Sequence, residues 1–172
     1  MNSLLKSIRM AAAGSLLLTG AEGAAGSALQ IGWGDLRPAS QAGETLSWGL
    51  QDRQIELAGY VLPVDREGEL VYEFLLLPLT GVCSHVPPPA ANQIVHVIPA
   101  RPYRLAEIYE PVAVTGVLKP GLEKTQLFVL DGVTVIESGY SVGQAEVAKT
   151  EKVPDGQFQG ANTPWGFLNK KK

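Results

Sequence analysis

Ile55-Glu56-Leu57-Ala58-Gly59-Tyr60-Val61-Leu62-Pro63 and Tyr72-Glu73-Phe74-Leu75-Leu76-Leu77-Pro78-Leu79 are the two stretches that decide the fold class. In the first, Ile55, Leu57 and Gly59 alternate with Glu56, Ala58 and Tyr60, the period of a strand with one buried face. The second is apolar on both faces, which predicts a central strand covered from two sides. Three further runs extend the pattern: residues 93–98 (QIVHVI), 111–119 (PVAVTGVLK) and 127–136 (LFVLDGVTVI). The last reads either as one strand broken at Asp131-Gly132 or as a tight hairpin. Gly59 and Gly116 fall inside strands, where glycine marks a bulge or a sharp bend. One short helix is expected over residues 104–109, between the third and fourth runs.

These elements predict a mainly β domain. The expected architecture is a small five-stranded Greek-key barrel resembling an oligonucleotide/oligosaccharide-binding fold. A two-sheet β-sandwich is the alternative. Composition agrees with this. A length of 172 residues suits one domain, and 45% hydrophobic with 18% charged residues is enough to bury a core. The 19 glycines and 12 prolines favour turns and short strands over long helices. A net charge of −3, with no basic run before Lys170-Lys171-Lys172, weighs against nucleic-acid binding.

Residues 1–28 read as a secretory signal peptide. Lys6 and Arg9 form a positive start, residues 10–18 a short apolar stretch, and Gly26-Ser27-Ala28 a small-residue cleavage pattern. The apolar stretch is shorter than the roughly 20 residues that span a bilayer, so no stable membrane insertion is expected. The folded domain is placed at residues 29–140. Its lead-in carries Trp33 and Trp48, read as indoles capping an edge of the core. Residues 141–172 read as a polar tail. That tail is either a frayed end or a linear segment that docks a partner through Trp165 and Phe167.

Residues 80–93, TGVCSHVPPPAANQ, hold the chemistry-bearing side chains. Cys83 is the chain's one cysteine, so no internal disulfide is available. His85 follows at the i+2 position, which in extended backbone lies on the same face as Cys83. Pro87, Pro88 and Pro89 stiffen the exit and remove three backbone donors. Asn92 and Gln93 read as staples of this binding loop, with amides able to satisfy loop carbonyls. His96, the other histidine, is the candidate third donor. Cys83, His85 and His96 would suit zinc with an open fourth position, or Cu(I), with Asp65, Glu73 or water completing the shell. The alternatives are a small buried cysteine, with His85 hydrogen-bonded to a loop carbonyl and His96 a surface residue on a half-buried strand, and a thiol nucleophile activated by His85.

The string Cys83-Ser84-His85-Val86-Pro87-Pro88-Pro89 with Asn92-Gln93, preceded by Gly59-Tyr60-Val61-Leu62-Pro63 and by Phe74 to Pro78, resembles the bacterial exported family catalogued as domain of unknown function 3299. The opening Trp33 to Pro38 also follows that pattern, and the likeness runs from Trp33 to Tyr140. The resemblance implies a periplasmic protein with no established activity, found beside transporter components with suspected links to metals. Two functions are therefore expected. One is a periplasmic metal-binding accessory protein, for zinc or alternatively copper, working with a transport system. The other is a non-catalytic interaction module of an envelope transporter complex. An enzyme is not expected. The thiol chemistry of Cys83 and His85 would be its only route.

Overall fold

A computed structural model describes residues 27–38, 45–80, 88–129 and 132–151. Its strands are β1 (Leu29–Ile31), β2 (Gln54–Glu67), β3 (Leu70–Leu77), β4 (Val95–Pro99), β5 (Tyr103–Arg104), β6 (Pro111–Val129) and β7 (Gly132–Lys149), with one 3-10 turn at Ala91–Gln93. They form a seven-stranded sheet in the order β1-β2-β6-β7-β4-β3-β5, and β2 pairs additionally with β3. The sheet is mixed: β1–β2 and β4–β7 are parallel, while the other pairs are antiparallel.

The mainly β class matches the sequence reading, but the five-stranded barrel does not. Among the described residues there are seven strands, the sheet ends at β1 and β5, and it is not a closed barrel. The described strands also belong to one sheet, not to the two of a sandwich. Two features produce the difference. β2 is long and divides its partners, meeting β6 over residues 54–60 and β3 over residues 60–67. The extra pairing with β3 curls the sheet around its apolar side. The fourth and fifth sequence runs, moreover, are not separate. Pro120-Gly121 looks like a terminator, yet β6 passes through it with a register irregularity between Pro120 and Glu123. A bulge can absorb a residue that cannot donate to the ladder. β6 and β7 are then the two arms of a hairpin, with Val129 paired to Gly132. β7 continues to Lys149, so residues 141–149, expected in the tail, pair with residues 112–119 of β6.

The apolar run of β3 is buried on both faces, as its sequence predicts. Phe74, Leu75, Leu76 and Leu77 are all fully buried. Phe74 and Leu76 point into the main core with Ile55, Leu57, Val95, Val97, Val114 and Tyr140. Leu75 and Leu77 point the other way and form a second core with Ile94, Leu127 and Ile136. Leu127 and Ile136 come from the far half of the β6–β7 hairpin. The hairpin therefore folds over the outer side of β3 and β4 as a two-stranded ribbon. Each leucine so covered contributes roughly 1.5–3 kcal/mol relative to exposure.

Residues 104–109 are not a helix. Arg104 ends β5, and the residues after it form turns. Six residues are too few to propagate a helix unaided, and Tyr109 has a φ of 66°. Glu110 organises this segment instead. It is 3% exposed. Its carboxylate accepts the Tyr103 hydroxyl at 2.9 Å and the Ala106 N–H at 3.0 Å, with Lys149 Nζ at 3.4 Å. Burial pushes the Glu110 carboxyl up, but the Ala106 and Tyr103 hydrogen bonds and the Lys149 charge outweigh it and hold the group below its ordinary range. Burial and the same carboxylate push the Tyr103 phenol up to about 12, so it stays a donor.

A carboxyl depressed on folding stabilises the fold above its unfolded pKa, and that stabilisation is lost as pH falls through the folded value. Glu110→Gln is therefore expected to cost about 1–3 kcal/mol at neutral pH. In urea denaturation its deficit relative to the parent protein should shrink as pH drops below the ordinary glutamate range.

Candidate functional site

The loop singled out by the sequence leaves β3 after Leu77 and re-enters the sheet at Val95. Leu76 pairs with Val95, so the two ends of the loop are neighbours. Cys83, His85 and Pro87 lie outside the described residues. Pro88 and Pro89 are described and lead to Ala90, whose backbone is extended with φ −59° and ψ 149°. The 3-10 turn follows and buries Gln93.

The Asn92 and Gln93 amides were expected on loop carbonyls, but their main targets are distant in sequence. Asn92 Nδ2 donates to the Thr45 carbonyl at 3.1 Å. Gln93 Nε2 donates to the Trp33 carbonyl at 3.1 Å and to the Asn92 carbonyl at 2.7 Å. The lead-in segment is thereby tied to the loop's return limb. Trp33 itself is buried, with its indole N–H on the Ala58 carbonyl at 2.8 Å. Trp48 is 56% exposed and does not cap the core, contrary to the sequence expectation. Tyr140 completes the platform: its hydroxyl donates to the Leu36 carbonyl at 2.7 Å and accepts from the Ser47 N–H at 2.6 Å. Gly139 lets the layers approach. A Cβ there would lie 2.8 Å from the Ala91 carbonyl oxygen and 2.5 Å from Leu46 Cδ2.

His96 does not present a free nitrogen. Its Nε2 is 2.7 Å from Glu73 Oε1 on β3, and its Nδ1 is 2.8 Å from Glu123 Oε2 on β6. The imidazolium form donates to both. Glu73, weighed from the sequence as a shell-completing ligand, is thus a hydrogen-bond partner of the ring. The two carboxylates sit on opposite edges of the imidazole, so the three groups do not converge on one point. Among the described residues no group of three histidine, cysteine or acidic side chains is placed to hold a metal ion. The contacts clasp the ribbon to the sheet, because Glu123 stands at its base. Asp65 is exposed, and its neighbour in the register is Glu73.

The sequence reading missed the outer surface of the ribbon. Leu127 and Ile136 face inward, so Phe128, Val133 and Val135 face out. Their exposures are 84%, 56% and 54%. Phe128 and Val133 are directly paired across the hairpin, and Val135 is one face-step further along. Large apolar side chains gathered on one exposed face mark an interaction surface more than a scattered few do. The signal was present in LFVLDGVTVI, which is apolar on both faces although only one can lie on the core. Trp165 and Phe167, the docking residues expected from the tail, lie outside the described residues. No helix among the described residues is long and apolar enough to cross a membrane.

Gly139→Ala is expected to destabilise the fold by about 1–3 kcal/mol, because the obstructing atom is a backbone carbonyl that cannot swing aside. Gly143→Ala, which meets nothing within 4 Å, should be nearly neutral. Chemical denaturation of the two variants checks the contrast.

Comparison with known proteins agrees with this architecture. Residues 32–149 match the family described as "Protein of unknown function (DUF3299)". A crystal structure of a DUF3299 family protein from Pseudomonas aeruginosa PAO1 is similar, with 29% sequence identity and a TM-score of 0.58. The alignment covers 74% of this chain and 99% of that one. No curated protein matches. The matched segment begins beside Trp33 and ends with the last residue of β7, so it takes in the whole sheet apart from β1, and the chain belongs to the DUF3299 family.

Proposed function

We propose that this protein is an exported, non-catalytic interaction module of the bacterial cell envelope. It docks an apolar surface of an envelope transport protein on the outer face of the β6–β7 ribbon. The observation that carries the reading is the exposure of Phe128, Val133 and Val135 on one face of a ribbon whose other face is already committed to the second core. Aromatic and aliphatic anchors held on a rigid support are the usual centre of a protein interface. The amino-terminal signal pattern supports export to the periplasm, and the family resemblance directs the choice of partner to transport components. Zinc or copper at Cys83 and His85 draws less support, since the proposed third donor, His96, already holds two carboxylates.

The test is site-specific photo-crosslinking in intact cells. A crosslinker at residue 128 or 133 should give a discrete adduct with the same envelope transport protein. At Arg101, which is exposed in the bend between β4 and β5, it should give none. The adduct should persist in a Cys83→Ala, His85→Ala double variant under chelation. Equal labelling from all three positions, or loss of the adduct in the double variant, would contradict the reading. Phe128→Ser should shift stability by no more than about 0.5 kcal/mol, as surface substitutions do, while abolishing the adduct from residue 133.

A further inference from the structure

Among the described residues the ribbon has an open edge as well as an exposed face. Among the described residues no strand lies beside the outer edge of β7 over residues 132–138. β4 takes that edge only from Tyr140 onward, and the Gly139 N–H bonds to the Ile94 carbonyl at the junction. Edge strands are ordinarily blunted by charge, proline or a bulge, because their unpaired N–H and C=O groups template pairing with another chain. This edge carries none of these over Gly132-Val133-Thr134-Val135-Ile136. Four consecutive β-branched residues give it the composition that pairs most readily. Its register with β6 runs without a shift from Glu123 to Val129, so the edge is regular.

We infer that a second copy of this chain occupies the edge, the two β7 strands pairing antiparallel about a two-fold axis at Val135. A closed two-fold contact uses the same patch twice, so the patch must be complementary to itself. This one is. With the axis at Val135, Val135 faces the partner's Val135, Thr134 faces the partner's Ile136, and Glu137 faces the partner's Val133. No like charges meet across the new ladder. Lys124, paired with Glu137 inside each ribbon, supplies the opposite charge behind it. Moving the axis toward the turn shortens the paired stretch. Moving it toward Gly139 drives the partner strand into Ile94 and Ala91, which already close that end. The resulting four-stranded ribbon joins Phe128, Val133 and Val135 of both copies into one continuous apolar strip. The dimer does not depend on which protein docks on that strip.

The experiment is sedimentation velocity on the purified chain, on Val135→Lys, on Val135→Glu and on an equimolar mixture of the two. Val135 is more than half exposed, so both variants should fold, which circular dichroism melts verify. The parent is expected to sediment as a dimer. Each variant places like charges directly opposite each other, which is destabilising in a cross-strand pair. Dimerisation should weaken at least about tenfold in each. The mixture should recover a heterodimer, because opposite charges then face across the axis. A monomeric parent would overturn the inference. So would a dimer that survives in both variants, or variants that stay apart when mixed. If the dimer forms, a crosslinker at residue 133 also labels the second copy, an adduct of twice the chain mass that is told apart from the adduct with the transport protein, so failure of the dimer and failure of the docking reading are separable.

Discussion

The fold turns on the need to cover β3 from both sides. Phe74 to Leu77 are buried without exception, and a strand with apolar side chains on both faces cannot be satisfied by one core. The inner face is met by the curled sheet. The outer face needs a second cover, which the far half of the β6–β7 hairpin supplies through Leu127 and Ile136. From this the rest follows. The hairpin must be long enough to reach back, β6 must bend at Pro120 to Glu123 to turn over, and the ribbon's other face must look outward. The exposed patch is the reverse side of a structural requirement. That it is itself apolar is not required, and that surplus points to function.

The sequence made the strands legible where one local rule decides them. Alternation gave β2, two-sided apolarity gave the burial of β3 on both faces, and the run over residues 127–136 offered the hairpin that was found. It failed where a local signal was overridden from a distance. Pro120-Gly121 reads as a stop, yet the ladder with residues 138–140 carries β6 through it. Residues 104–109 have helical composition, yet the buried Glu110 carboxylate fixes them as turns. Seven strands instead of five, in a sheet that is not a closed barrel, is the sum of such overrides.

The candidate site divides in the same way. Asn92 and Gln93 were legible as staples from their amide chemistry, but not their partners Thr45 and Trp33, which lie 47 and 60 residues away. His96 was legible as a polar residue on a half-buried strand. Its two carboxylates, 23 and 27 residues off, become visible only once β3, β4 and β6 are assembled. The Cys83-Ser84-His85 string stands out in the sequence, and the structure describes its flanks. These are held firmly by Gln93, Tyr140 and the close approach at Gly139. The described return limb meets the base of the ribbon, since Ala91 sits over Gly139.

The account requires the ribbon to be a rigid platform, fixed by the second core and by the clasp of His96 between Glu73 and Glu123. Residue-resolved amide hydrogen exchange tests this most directly. A docked ribbon opens only when the second core opens, so the cross-strand amides of residues 123–128 and 133–138 should show protection comparable to those of β3 and β4. Ribbon amides that exchange orders of magnitude faster than β3, as a detached hairpin would, would contradict it.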